Sequence, residues 1–222
     1  MNKKFLFGLL VGFILTGTLL LQQPLLEAAK TNSANTCTNT DITENNSVYS
    51  VVLDKLPKAA RFSVTSTDIV NGQPLSLAQL SGNFGIPGGQ DKSPQLSWSG
   101  APEGTKSYAV TFYDLDAPTG SGFWHWAVAN IPANITVLPA GAGDDTGSTL
   151  PQCAIQLPND ARAPHFIGAA PPLGQMHHYL IVISALDIEN IGISKDATPA
   201  FLGFLMSKHT LGRAILTATA KS

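Results

Sequence analysis

The sequence predicts a mainly β domain. Glycine (20) and proline (15) are abundant, which favours many turns over a helical bundle. Only 13% of residues are charged against 44% hydrophobic, so a substantial core can form. Apolar residues recur mostly at period 2, in short runs bounded by turn residues, and a helical stripe emerges only near the C-terminus. A chain of 222 residues suggests one domain or at most two small ones. The formal net charge is −2 and the 13 basic residues are scattered, so no basic stripe for nucleic acid is present.

The N-terminus reads as a targeting segment. Lys3 and Lys4 precede the apolar run Phe5–Leu21, and small residues follow at Ala28, Ala29 and Ala34. Residues 1–30 are therefore a secretory signal peptide or, if uncleaved, a membrane anchor, and both readings place the protein in the periplasm or outside the cell. Ala34-Asn35-Thr36 before Cys37 lacks the pattern of a lipoprotein signal. Export leaves two readings for Cys37 and Cys153: a disulfide, or two unpaired thiols. Residues 31–48 are rich in Thr, Asn and Ser and read as linker, and residues 31–60 as a polar N-terminal extension.

Tyr49–Leu53 is a short strand or a helical turn. Arg61–Val64 alternates and precedes the turn signal Asn71-Gly72, and Gln95–Trp98 is a short strand after the loop 81–94. Tyr108–Pro118 organises the chain. Tyr108, Val110 and Phe112 share one face, and period 2 carries that face onto Asp114 and Asp116, so the strand forms one wall of a polar pocket. Pro118 ends it, having no N–H for a ladder. In Trp124–Asn130, alternation puts Trp124, Trp126 and Val128 on one side and His125 with Ala127 and Ala129 on the other. Residues 139–164 form a long connection with little periodicity. In His177–Leu186, His177, Tyr179, Ile181 and Ile183 oppose His178, Leu180 and Val182. Thr198-Pro199 is a helix start, followed by the stripe Phe201, Leu202, Leu205 and Met206 to about His209. Ala214–Ala218 is a final strand.

The polar strand ends occur within ordered motifs: Ser93-Pro94-x-Leu96-x-Trp98, Asp114-Leu-Asp-Ala-Pro118, Phe123-Trp-His-Trp126, Asn130-Ile-Pro132, Asn159-Asp160, Gly168-Ala-Ala-Pro-Pro172-x-Gly174 and His177-His-Tyr179. Over about residues 61–220 these resemble the phosphatidylethanolamine-binding protein family, in its bacterial YbhB/YbcL (Raf kinase inhibitor-like) branch. The resemblance implies antiparallel Greek-key β-sheets over 61–222, a few peripheral helices and a C-terminal helix. It also implies a small anion pocket for phosphate or a phospholipid headgroup, lined by Asp114, Asp116, Ala117, Pro118, His125, Gly168, His177 and Tyr179. The motifs depart from the family's common forms at Leu115, at Gly168-Ala-Ala-Pro-Pro172 and at His178.

The resemblance implies a non-enzymatic binding or regulatory protein without cofactor or metal, with a phosphate-bearing ligand such as phosphoethanolamine, a partner protein that it inhibits, and a homodimer as one assembly. Phosphate oxygens need donors, which the histidines, Tyr179 and loop N–H groups supply, while the aspartates either orient and charge the histidines or receive the ammonium of a zwitterion such as phosphoethanolamine. The competing reading is a metal-dependent hydrolase using Asp114, Asp116, His125 and His177.

Overall fold

The computed structural model describes residues 47–222. The signal segment, most of the polar linker and Cys37 lie outside them. Cys153 is exposed.

In order, the elements are α1 (Ser47–Leu53), β1 (Ala60–Arg61), β2 (Ser63–Thr65), β3 (Gln73–Pro74), a 3₁₀ turn (Leu77–Gln79), β4 (Leu96–Ser99), β5 (Ser107–Asp114), β6 (Phe123–Pro132), β7 (Val137–Leu138), β8 (Ile155–Gln156), β9 (Met176–Leu186), α2 (Pro199–Met206) and β10 (Thr210–Lys221). Seven strands form one sheet in the order β1-β10-β9-β5-β6-β8, with β3 also on β10; β2, β4 and β7 form a second. The long pairs β10/β9, β9/β5 and β5/β6 are antiparallel, and the short β1 and β3 add parallel edges on β10. The expected β-rich architecture is present. The helix expected near the C-terminus is α2, and the expected final strand follows it as β10. The single alternating run at Arg61–Val64 divides between two sheets as β1 and β2.

One core cluster draws on both sheets, with Leu96, Trp98 and Leu138 from the small sheet and Val110, Phe112, Trp126 and Ile181 from the large one. On the opposite face of the large sheet, α2 covers Ala109, Ala127 and Ala129, and α1 brings Tyr49 onto Leu180, Val182 and Ile215. Strand β9 is thus covered on both faces, which is why it reads as almost continuously apolar. Thr198 caps α2, its hydroxyl accepting the Phe201 N–H at 3.2 Å. The helix buries Pro199, Leu202 and Met206 and ends at Ser207, short of the expected His209. Phe201 faces outward and stacks on Phe204.

The alternation expected for β6 fails at His125. Phe112 pairs with Trp126 and Tyr113 with Trp124, so His125 is an extra residue opposite β5, a β-bulge. The bulge resets the faces. Trp126 and Val128 stay in the core between the sheets, while Trp124 lies on the other side against Tyr113. The His125 ring joins the Trp126 side, against Phe112 and Tyr179, and does not share a face with Ala127 and Ala129.

Truncating a residue packed on all sides should cost far more than removing a helix cap. Ile181→Ala is expected to lose about 2–5 kcal/mol and Thr198→Ala about 1 kcal/mol, measured by denaturant unfolding.

Candidate functional site

The site forms where β5, β6 and β9 end together. Strand β5 stops at Asp114, paired with Phe123 on one side and Tyr179 on the other. Its terminator is Asp114 itself, not Pro118. Asp114 Oδ1 accepts the N–H groups of Asp116 at 2.8 Å and Ala117 at 3.0 Å, which turns the chain out of the sheet. Asp114 Oδ2 accepts the Nδ1–H of His177 at 2.7 Å and lies 3.9 Å from His125 Nε2. The expected periodicity from Asp114 to Asp116 therefore breaks. Asp116 sits in the turn, and its Oδ2 accepts the backbone N–H of His178 and the His178 ring, both at 2.7 Å. His178 belongs to the opposite face of β9, edge-on to Tyr49. The two carboxylates serve two faces of one sheet.

Asp114, His125, His177 and Tyr179 come together as expected, and all are at most 4% exposed. His125 Nδ1 meets the Ile167 carbonyl at 2.9 Å. That carbonyl can only accept, so Nδ1 carries the proton and Nε2 turns towards Asp114 and Tyr179. Two polar atoms here, His125 Nε2 and the Tyr179 hydroxyl, are buried without a hydrogen-bond partner. His177 Nε2 meets the side chain of Gln175 at 3.1 Å, and Gln175 is exposed.

The remaining expected residues shape this corner without aiming side chains at it. Ala117 and Pro118 form the turn, and the Ala117 N–H is spent on Asp114. Gly168 passes against the Leu80 backbone so closely that a Cβ would overlap it, and its N–H donates to Asp91 at 2.8 Å. Its N–H therefore braces the loop.

Burial works to raise the Asp114 pKa. The His125 and His177 rings and the Asp116 N–H outweigh it and hold the carboxyl below its usual value. Tyr179 is pushed well above the ordinary phenol range by burial and then by Asp114, so it stays a neutral donor. Among the described residues, no group of three or more His, Cys, Asp or Glu side chains is arranged to hold a metal ion.

Sequence reasoning missed Gln175, which lies in the turn just before β9. It also missed Asp91 and the Ile167 carbonyl, which act across long sequence separations with no local signal. Asn159 and Asp160 turn out to be braces. Asn159 ties the loop back through Ala161, Ala163 and His165, and Asp160 accepts the Trp124 N–H at 2.9 Å.

Because the Asp114 pKa is lower in the folded protein than in the unfolded chain, its contribution to stability is present above the ordinary carboxylate pKa. It is lost as pH falls through the folded value. Unfolding free energy measured from pH 6 downward should therefore decline below about pH 4, with a shallower decline in Asp114→Asn.

Residues 65–221 match the model of the phosphatidylethanolamine-binding protein family. The chain is 46% identical over 161 residues to the YbcL protein of Escherichia coli K12, covering 72% of this chain and 87% of that protein. It is 42% identical to YbhB of the same organism, covering 69% and 96%. The crystal structure of E. coli YbcL, described as a new member of the mammalian PEBP family, aligns with a TM-score of 0.71 over 73% of this chain and 99% of that one, at 44% identity. A putative family homologue from Chlamydia trachomatis, at 24% identity and a TM-score of 0.61 over 74% of this chain and 99% of that one, shows the same fold. The chain carrying this bulged, histidine-lined strand corner belongs to the phosphatidylethanolamine-binding protein family, with YbcL and YbhB among its relatives.

Proposed function

We propose that this member is an exported, non-catalytic binding protein whose Asp114–His125–His177–Tyr179 cluster receives the phosphate of a small molecule or phospholipid headgroup such as phosphoethanolamine. One observation carries the reading: His125 Nε2 and the Tyr179 hydroxyl are both buried and unpartnered in the same cluster. Leaving such a group unsatisfied costs about 1–3 kcal/mol. A single oxyanion answers both, accepting from the phenol and from a protonated His125.

Asp114 then acts indirectly. Its two oxygens are already engaged by backbone N–H groups and by His177, so it is poorly placed to take a ligand ammonium. It fixes the orientation of the His177 ring through the Nδ1 hydrogen bond. The ligand enters past Gln175, whose exposed side chain meets His177 Nε2, and exchanges with its amide. Phe112 and Phe123 pack against the His125 ring. The signal-like residues 1–30 support export. Inhibition of a partner protein and a homodimeric assembly rest on family resemblance alone.

Calorimetric titration of the protein with phosphate and with phosphoethanolamine should show saturable binding to both. The His125→Ala/His177→Ala double variant, folded by circular dichroism, should lose it, and Asp114→Asn should weaken inorganic phosphate by about tenfold or more. Absence of binding to the unmodified protein overturns the proposal. Undiminished phosphate binding in Asp114→Asn overturns the role given to the acid.

A further inference from the structure

The opposite face of the large sheet carries a second concentration of polar and apolar features that the Asp114 cluster does not use. Arg61 and Arg213 are paired residues on the parallel strands β1 and β10, two like charges side by side. Arg213 is only 9% exposed. One of its N–H groups donates to the Pro57 carbonyl at 2.6 Å, and among the described residues this guanidinium makes no other hydrogen bond. Burial, and then the positive charge of Arg61, push the Arg213 pKa down, as expected for a guanidinium short of negative charge.

Both arginines line a cavity of about 490 Å³, together with Tyr49, Asp54, Lys58 and Ile215. The charged lining is three cations against one carboxylate. Among the described residues no ion pair joins any of those cations to an acid. A second cavity of about 240 Å³ adjoins it, with Leu180, Val182, Trp124, Gly203 and Met206 in its walls. The two cavities have Leu56, Pro57 and Arg213 in common, so the guanidinium stands between a cationic chamber and an apolar one.

We propose that these two cavities together form a second ligand site that takes a single-chain anionic amphiphile, its head at Arg61 and Arg213 and its chain along Leu180, Val182 and Met206. Charge complementarity selects the head. A buried guanidinium with unused donors favours a carboxylate or phosphate, which its planar fork can bind in two places. The apolar chamber selects the chain, because its lining is mainly hydrocarbon and filling it removes that surface from water. The site is independent of the Asp114 cluster. Leu180, Val182 and Ile215 lie on the face of the sheet away from Tyr179 and Ile181.

The test is calorimetric titration of the protein with decanoate, decyl phosphate and decanol, each below its aggregation concentration. Decanoate and decyl phosphate should bind saturably and decanol at least tenfold more weakly, and the stronger of the two anions identifies the head as carboxylate or phosphate. Arg61→Gln, at an exposed position, should weaken both anions about fivefold or more.

Gly203→Phe should abolish binding. A Cβ at Gly203 meets no atom within 4 Å, and replacing a helical glycine does not weaken the helix, so the thermal midpoint should not fall. Asp114→Asn should leave decanoate binding unchanged. Equal affinity for decanol and decanoate, unaltered binding in Gly203→Phe, or no saturable binding to the unmodified protein would each overturn the proposal.

Discussion

The carboxylate of Asp114 does two jobs with two oxygens. One oxygen gathers the N–H groups of Asp116 and Ala117 and turns the chain out of β5. The other holds the Nδ1–H of His177 at the start of β9. A 4% exposed carboxylate without such partners would be costly enough to shift towards its neutral form. With them it stays ionised. The end of the sheet, the turn and the polarity of the corner thus depend on one side chain.

The sheet separates two chemistries because a strand sends alternate residues to opposite faces. His177 and Tyr179 look into the space between the sheets, where Asp114 and His125 meet them. His178, Leu180 and Val182 look the other way, towards Asp116, α1 and the arginine-lined chamber. The bulge at His125 is the exception that completes the corner. Without the extra residue, regular alternation would carry the ring to the alanine-lined face beneath α2.

Much of this was legible in the residues. The faces of β9, the capped start of α2 and the gathering of Asp114, His125, His177 and Tyr179 follow from period-2 alternation, Thr-Pro chemistry and ordered motifs. Other features were not, for identifiable reasons. A bulge shifts the register by one residue, and the Phe123-Trp-His-Trp126 run gives no periodicity that distinguishes the two faces. The strand ends at Asp114 because of a side-chain hydrogen bond, which pattern reading sees only as a polar residue. Asp91 and the Ile167 carbonyl act across 77 and 42 residues of sequence, and the Arg61–Arg213 pair depends on a parallel edge pairing that no local pattern announces.

The account stands on His125 presenting an unpartnered Nε2 within a corner polarised by Asp114. Long-range proton–nitrogen correlation NMR of the histidine rings, recorded with and without phosphate, examines this most directly. The account predicts protonated Nδ1 on both His125 and His177 in the free protein. On phosphate addition the His125 Nε2 resonance should move saturably towards the protonated range. A His125 ring already protonated at Nε2 and not at Nδ1, or nitrogen shifts indifferent to phosphate, would contradict it.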